Sequence, residues 1–138
     1  MKGKILIINP GSTSTKIGFY EDGQHLFETN LTHSAEEIAK YESVMDQGAM
    51  RREAITGFLA ENGVEIDSID LIMARGGLIT PIKAGVYEVT QKMREALISG
   101  KDGVHACNLS ALIADDMAAD INKSRLAKGE SAVCKAYI

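Results

Sequence analysis

The chain opens with a continuous run of apolar residues, 5–8, that ends at Asn9 and Pro10. A short run of this kind, rich in branched side chains, is typical of a strand that is covered on both faces. The next stretch, TKIGFYEDGQHLFETNL, contains two apolar segments on either side of Asp22 and Gly23. Because Asp-Gly favours the tight turn of a hairpin, we predict that the second and third strands pair antiparallel.

Two helical patterns follow the hairpin. Ser34 precedes Glu37 with the spacing of a capping box, in which the two side chains satisfy each other's backbone amides. From 46 to 62, apolar residues recur at helical spacing in two rows: Met50, Ala54, Phe58 and Ile55, Leu59. Gly63 follows, as is common at a helix C-terminus. The sequence therefore predicts a short helix after Ser34 and a longer one that ends before Gly63.

The second half of the chain alternates between strand and helix patterns. A strand is predicted from 69 to 74, and GVYEVT has the composition of a further short strand. Thr90 can cap a helix that runs to Gly100. An apolar stripe predicts a helix over 107–123, and AVCKAYI predicts a final strand. This alternation predicts the α/β class, with a mixed five-stranded sheet, flanking helices and parallel later strands.

Composition narrows the classes of function. With 138 residues, 45% of them hydrophobic, the chain suffices for one domain with a core. Fifteen Lys and Arg against nineteen Asp and Glu, without a basic run, argue against a nucleic-acid-binding surface. The apolar run at the N-terminus is too short for a signal peptide or a membrane span. We expect a cytoplasmic protein with no nucleic-acid or membrane partner.

The cysteines and the acidic residues do not indicate a metal site. Cys107 and Cys134 lack the spacing of zinc ligands and do not form a disulfide framework, so we expect two reduced, buried thiols. One face of the last predicted helix carries three aspartates: Asp115, Asp116 and Asp120. A metal would need converging ligands from elsewhere, and we therefore expect this acidic face to be solvated.

The turn after the first strand has residues suited to an anion. Pro10 fixes the backbone there, and Gly11 lacks the side chain that would keep backbone amides away from a ligand. Four hydroxyl residues and a cation follow: Ser12, Thr13, Ser14, Thr15 and Lys16. It is not a Walker loop, because the second glycine and the Gly-Lys-Ser/Thr ending are missing. Phosphate binding and a polar hairpin turn with solvated hydroxyls are both consistent with these residues.

Two further segments carry candidate ligand-binding residues. Arg75 stands where a strand ends, before Gly76 and Gly77, and its planar guanidinium suits a carboxylate or a phosphate. The alternative is a surface arginine before a flexible loop. His105 precedes the last helix, where an imidazole could donate to a ligand oxygen or act only in capping and packing. His25 and His33 have no evident partners, and we assign them no role.

The motifs together resemble a known family. INPGSTSTKIG, RGGLITPI, GVYEV and HACNLSALIA, in this order and at these distances, closely resemble the N-terminal half of the acetate/butyrate kinase family, in its butyrate-type branch. The resemblance covers essentially the whole chain. It implies an actin-like ATPase (ribonuclease H-like) fold of two lobes, of which residues 1–138 would be the N-terminal lobe. It also implies reversible transfer of the ATP γ-phosphoryl group to the carboxylate of butyrate or a related short-chain fatty acid, with Mg²⁺ assisting.

The resemblance also implies roles for individual residues. Asn9 would lie near the metal and the transferred phosphoryl group, together with an acidic residue beyond Ile138. The phosphate-side loop would comprise Gly11, Ser12, Thr13, Ser14 and Lys16. Arg75 and His105 would act on the reacting groups, and the substrate would be bound by Arg75, Gly76, Gly77 and Asn108. Acetate kinases place their substrate arginine four residues before the first glycine, where this chain has Ile72, so Arg75 is matched only within the butyrate-type branch.

Several expectations concern the chain as a whole. Family members are more than twice as long, so we expect this chain to lack the second lobe and to be inactive alone. The full-length protein is expected to bind ATP or ADP and a small-molecule substrate, and to form a homo-oligomer. Two other readings stay open: a non-catalytic nucleotide switch of the actin or chaperone type, and a small anion-binding domain.

Overall fold

A five-stranded mixed sheet is the framework of the computed structural model, which describes residues 2–138. Its strands are β1 (Lys4–Pro10), β2 (Ser14–Glu21), β3 (Gln24–Thr32), β4 (Leu71–Ala74) and β5 (Lys135–Tyr137), in the order β3-β2-β1-β4-β5. β1, β2 and β3 are antiparallel neighbours, whereas β4 runs parallel to both β1 and β5. This is the strand arrangement of a ribonuclease H-like sheet, and it confirms the predicted fold class.

Four α-helices accompany the sheet in the described part of the chain: α1 (Ala35–Ile38), α2 (Gly48–Glu61), α3 (Gln91–Ser99) and α4 (Asn108–Ala127). Short 3₁₀ turns precede α2 and β4, at Val44–Gln47 and Ile66–Ser68. The cap predicted at Thr90 is confirmed, since its hydroxyl accepts from the Met93 amide, and Gly100 closes α3 with a φ of 64°. At α1, Ser34 accepts from the Glu37 amide, but the Glu37 carboxylate binds Lys40.

Helices α2 and α4 share one core with the sheet, on one side of it. Leu6 and Ile8 of β1 are fully buried and belong to the same apolar cluster as Ile55 of α2 and Ile113 of α4. On the other side of β1, Ile7 is 36% exposed. The prediction that β1 is covered on both faces is therefore wrong, because within this chain its burial alternates as in a sheet with one open face.

A β-bulge in the β2–β3 hairpin changes which residues face each other. The turn at Asp22 and Gly23 has positive φ angles of 50° and 82°, as expected for the predicted hairpin. Beyond Tyr20 the register shifts by one residue, so that Phe19 faces Phe27. Because successive strand residues alternate between faces, this shift decides which β3 side chains reach the open face of the sheet.

Three other expectations have definite outcomes. GVYEVT is not a strand of the sheet: Glu88 forms an isolated bridge to Tyr137, and backbone hydrogen bonds join Tyr87 to Ile138 and Val89 to Ala136. The acidic face of α4 is not simply solvated: Arg94 pairs with Asp115 and Asp116 at 3.0 Å, and Arg52 lies 3.7 Å from Asp120.

Cys107 and Cys134 are free and buried, as predicted, and burial raises the pKa of the Cys134 thiol to about 11. No helix within residues 2–138 is both long and apolar enough to cross a membrane.

Candidate functional site

A row of polar residues crosses the open face of the sheet at the carboxyl end of β1. In the strand register Asn9 faces Lys16, and Lys16 faces Asn30. Their neighbours Ile8 and Ile17 point the other way, into the core. Alternation along the strands therefore separates a polar, ligand-accessible side from an apolar side that packs on the helices.

This row forms part of a cleft of about 310 Å³. The cleft is lined by Asn9, Pro10, Gly11, Ser14, Lys16, Asn30, Arg75 and His105. Arg75 reaches it because β4 lies beside β1, and the Arg75 amide continues the pairing by donating to the Ile8 carbonyl at 3.0 Å. The structure thus brings the turn after β1, the end of β4 and the segment just before α4 to one place. Ligands of open α/β sheets commonly bind at such carboxyl ends of strands.

The charge on the cleft lining is positive. Lys16 and Arg75 are cations, and no carboxylate is among the lining residues. Lys16 lies 3.7 Å from Glu28, in a pair whose side chains are both more than half exposed, so solvent weakens this attraction. The lining therefore suits an anion with several oxygens, such as phosphate or a carboxylate.

The turn itself offers further donors. Ser12 and Thr13 are exposed at its tip, beside the cleft and not in its lining. Within residues 2–138, nothing accepts a hydrogen bond from the backbone amides of Ser12 and Thr13. The carbonyls of the turn are occupied: Thr13 accepts from the His33 amide at 2.8 Å, and Ser14 accepts from the Gly11 amide at 2.7 Å. The turn thus presents free donors and few free acceptors, which favours anions.

His105 is exposed on the rim of the cleft, with one ring nitrogen already used. Its Nδ1 accepts from the Cys107 amide at 3.2 Å. In the neutral imidazole this contact leaves the proton on Nε2, which is then a free donor. His105 can therefore donate to a ligand oxygen without first being charged.

Asn108, predicted to bind substrate, does not line this cleft. It is fully buried, and its amide binds the backbone of Leu78, Gly103 and Leu97. Gly77 packs against it, since a Cβ at Gly77 would lie 3.0 Å from the Asn108 Cα. Gly76 is exposed and open. Asn108 and Gly77 therefore position the segment after Arg75, and direct substrate contact by either one stays a prediction.

The described residues alone do not make a magnesium site. Asn9 lines the cleft, and its predicted place near a metal stays a prediction, because Mg²⁺ is usually held through one or two carboxylates and none lines the cleft. Within residues 2–138, no three His, Cys, Asp or Glu side chains are grouped so that they could hold a metal ion. The donor set of the cleft fits the anion and does not by itself fit the cation.

Residues that the sequence interpretation missed support the cleft from both sides. Asn30 completes the polar row, but its place depends on the β-bulge. Arg51 and His33 lie beneath the turn, where the His33 ring contacts the Thr15 hydroxyl at 2.8 Å. Burial and the nearby Arg51 charge lower the pKa of His33, and the Glu37 carboxylate opposes them. Arg51 could have been found from its spacing, since it precedes Ile55 and Leu59 on the buried face of α2.

A larger groove lies elsewhere on the chain. It has a volume of about 720 Å³ and runs between α3 and the loop before it, with Ile79, Ile82 and Met93 in its wall. It shares no lining residue with the cleft at the turn. The polar chemistry of the predicted site is therefore separate from this mainly apolar groove.

Comparison with known proteins agrees with the motifs. Butyrate kinase 1 of Clostridium acetobutylicum is 50% identical over 119 residues, which are 86% of this chain and 34% of that protein. A probable butyrate kinase of Clostridium botulinum is 44% identical over 122 residues, or 88% of this chain and 34% of the relative. This chain is homologous to butyrate kinases. The resemblance seen in the sequence is confirmed, and the chain spans about a third of the length of the curated relatives it matches.

The remaining comparisons do not identify a family. No family model matches the chain. Among solved structures, YeaZ from Pseudomonas aeruginosa has a TM-score of 0.47 at 10% identity, covering 87% of this chain and 40% of that one. Acetate kinase from Entamoeba histolytica has a TM-score of 0.46 at 12% identity, covering 98% of this chain and 34% of the other.

Proposed function

We propose that this chain forms one lobe of a kinase that transfers the γ-phosphoryl group of ATP to the carboxylate of butyrate or a related short-chain fatty acid. The reaction would yield an acyl phosphate and ADP, and would be reversible. One observation carries the proposal: in a homologue of butyrate kinases, Asn9, Lys16, Arg75 and His105 converge on one cleft that lacks carboxylates. We also propose that the protein acts in the cytoplasm and, at full length, as a homo-oligomer.

The proposed chemistry needs positioning and charge neutralisation more than covalent participation by the protein. Lys16 and Arg75 would offset negative charge on the phosphoryl oxygens from two directions. The amides of Ser12 and Thr13 would donate to the same anion at the tip of the turn. His105, with its proton on Nε2, would donate to an oxygen that gains charge in the transition state. Donors fixed before the reaction are the most effective at stabilising such charge.

The carboxylate substrate must face the terminal phosphate of the nucleotide. Arg75 has a planar guanidinium that can bind a carboxylate through two parallel hydrogen bonds. It stands at the end of β4, next to Asn9 on β1, which is where the two reactants would meet. We propose that Arg75 first orients the fatty-acid carboxylate and then stabilises the acyl phosphate as it forms.

We propose that the remaining two-thirds of the relatives' length supplies what this cleft lacks. A carboxylate for metal binding and a pocket for the nucleoside are the missing parts. The chain alone is therefore expected to be inactive in a hydroxamate assay with ATP, Mg²⁺ and butyrate. Turnover by the purified 138-residue chain at an ordinary enzymatic rate would refute the proposal that the missing parts are needed for activity.

A chimera tests the function directly. Residues 2–138 would replace the matching segment of butyrate kinase 1 from Clostridium acetobutylicum, and acyl phosphate would be trapped as hydroxamate. We expect turnover comparable with that of the unmodified relative, and none when the segment is deleted. A chimera that is folded by circular dichroism and binds ATP, yet phosphorylates no carboxylate, would overturn the proposal and favour a nucleotide switch.

A further inference from the structure

In the part of the chain that the structure describes, Arg51 is a fully buried cation without a carboxylate partner. Its side chain is 0% exposed, although it is the most hydrophilic residue in the buried row of α2. The guanidinium donates only to neutral acceptors: the Gln47 amide oxygen, the Ser12 and Ser14 carbonyls and the Thr15 hydroxyl. Within residues 2–138, it forms no ion pair. Buried charges are usually paired, so an unpaired one at this position calls for a reason.

The guanidinium holds the turn after β1 from its inner side. Nη1 donates to the Ser14 carbonyl at 2.9 Å, and Nη2 donates to the Ser12 carbonyl at 3.1 Å. A trans peptide unit is planar, with its C=O and N–H pointing in opposite directions. Because the Ser12 carbonyl points toward Arg51, the Thr13 amide must point away from it. Arg51 therefore fixes the orientation in which a free backbone donor faces outward.

The turn does not hold this shape by local preference alone. Tight turns between antiparallel strands often need positive φ angles. Among residues 2–138, Asp22 is the only non-glycine residue with a positive φ, so Ser12 and Thr13 have ordinary negative values. Besides the local bond from the Gly11 amide to the Ser14 carbonyl, contacts from outside the turn hold this shape: Arg51 on two carbonyls and the His33 amide on the third.

The same cation contributes an electrostatic field to the turn. Arg51 approaches from the helix side of the sheet, whereas Lys16 and Asn30 lie on the open side. Desolvation lowers the pKa of Arg51, but an arginine stays charged at neutral pH. A charge in the interior is screened less than one on the surface. An anion on the outer side of the turn would then be the counter-charge that the buried side lacks.

We propose that Arg51 is a positioning residue for phosphate: it clamps the Ser12 and Ser14 carbonyls inward, and its unpaired buried charge favours a phosphate group on the outer side of the turn. The identification of that phosphate as the terminal phosphate of ATP rests on the proposed function. Phosphate binding by the turn can be measured whether or not the proposed kinase function is correct.

Gln47 offers a variant that separates charge from shape. Its amide oxygen accepts from Arg51 Nε at 3.1 Å and from Nη2 at 2.9 Å, and within residues 2–138 its side chain makes no hydrogen bond to the turn. Gln47→Glu keeps the oxygen that accepts both hydrogen bonds and supplies the missing carboxylate. If Arg51 only supports the fold, this change leaves phosphate binding unaltered. If the positive charge of Arg51 attracts the bound phosphate, Gln47→Glu lowers phosphate affinity by roughly tenfold while the fold is kept.

The experiment is a titration of the ¹⁵N-labelled chain with inorganic phosphate, followed by NMR of the Ser12 and Thr13 amides. We expect saturable shifts in the original chain, weaker binding in Gln47→Glu, and binding close to the original in Arg52→Met, whose arginine is surface-accessible. Arg51→Lys should bind less tightly than the original chain, because it keeps the charge and loses the two-carbonyl clamp. Amides that do not respond to phosphate, or equal affinity in Gln47→Glu, would overturn the proposal.

The chimera distinguishes failure of this inference from failure of the proposed function. Gln47→Glu in an active chimera should raise the KM for ATP or lower kcat, whereas Arg52→Met should change neither. An active chimera indifferent to Gln47→Glu would refute the role of Arg51 and leave the kinase proposal standing. An inactive chimera would count against the kinase proposal. If phosphate binding by the chain still weakens in Gln47→Glu and not in Arg52→Met, the role of Arg51 would stand.

Discussion

The Leu78 amide donates to the Asn108 side-chain oxygen at 2.9 Å, which joins the loop after Arg75 to the first residue of α4. The Asn108 side-chain nitrogen donates to the Gly103 carbonyl at 2.9 Å. One fully buried amide thus ties two loops to a helix end. It links the position of Arg75 to that of His105, which comes just before α4.

Replacing Asn108 by alanine should destabilise the chain strongly. The Leu78 amide and the Gly103 carbonyl, both partly buried, would lose their partner, at about 1 kcal/mol or more each, so we expect a loss of about 2–3 kcal/mol in the free energy of unfolding. Urea denaturation measures it. Asn62→Ala is the control, because its exposed side chain makes one bond, to the Phe58 carbonyl, and should cost much less. Equal losses in the two variants would contradict the structural role of Asn108.

The two adjacent glycines after Arg75 should respond differently to alanine. A Cβ at Gly77 would lie 2.6 Å from Leu97 Cδ2 and 3.0 Å from the Asn108 Cα, whereas a Cβ at Gly76 would meet nothing within 4 Å. Overpacking of this kind costs about 1–3 kcal/mol. We therefore expect Gly77→Ala to lower the midpoint of urea denaturation and Gly76→Ala to leave it nearly unchanged. A similar midpoint for both would show that the loop yields easily.

The features that local sequence determines were predictable. Thr90 and Gly100 bound α3 as expected, because a cap is set by neighbouring residues. The hairpin at Asp22 followed from its turn residues in the same way. Convergence of the turn after β1 with Arg75 and His105 was inferred from the resemblance, and the parallel placement of β4 beside β1 accounts for it.

The features that depend on register or on distant packing were not predictable. An unbroken two-residue hairpin would pair Lys16 with Thr29, but the bulge at Phe19 shifts the partner to Asn30. No residue pattern in the sequence predicts the extra residue that this bulge places in β3. The exposed face of β1 was also not predictable, because a continuous apolar run is equally consistent with a strand covered on one face or on both. Arg51 was visible in the helical pattern, but its partners in the turn are 36 to 39 positions away.

Arg125 should be essential to the junction between α4 and β4. It is 3% exposed, and it donates to the Asp67 carbonyl at 2.7 Å and to the Ile69 carbonyl at 2.8 Å. Arg125→Met would leave these acceptors unpaired, with an expected loss of about 2–4 kcal/mol measured by urea denaturation. Lys123→Met, on an exposed position of the same helix, is the control and should change little. A small effect of Arg125→Met would mean that water replaces the guanidinium.

His33 should make stability depend on pH in the weakly acidic range. Burial lowers its pKa in the folded chain, so below the ordinary value of about 6.5 the unfolded chain binds more protons than the folded one. Its contribution to stability is complete above that value and is lost as the pH falls toward the folded pKa. Thermal unfolding between about pH 5.5 and 7 should show this slope, and His33→Gln should flatten it. His25→Gln, at an exposed position, is the control, and an unchanged slope in His33→Gln would exclude His33 as its source.

Asn9 and Arg75 should each be required for turnover in the chimera. Both line the cleft, and each would contact the phosphoryl group or the carboxylate through charge-stabilising hydrogen bonds. Losing one such donor typically lowers kcat by about 10²–10³, or roughly 3 kcal/mol of transition-state stabilisation. We expect losses of this size for Asn9→Ala and Arg75→Ala in the hydroxamate assay, with circular dichroism unchanged. Lys123→Ala, far along α4, should retain full activity, and near-normal kcat for either cleft variant would remove that residue from the proposed mechanism.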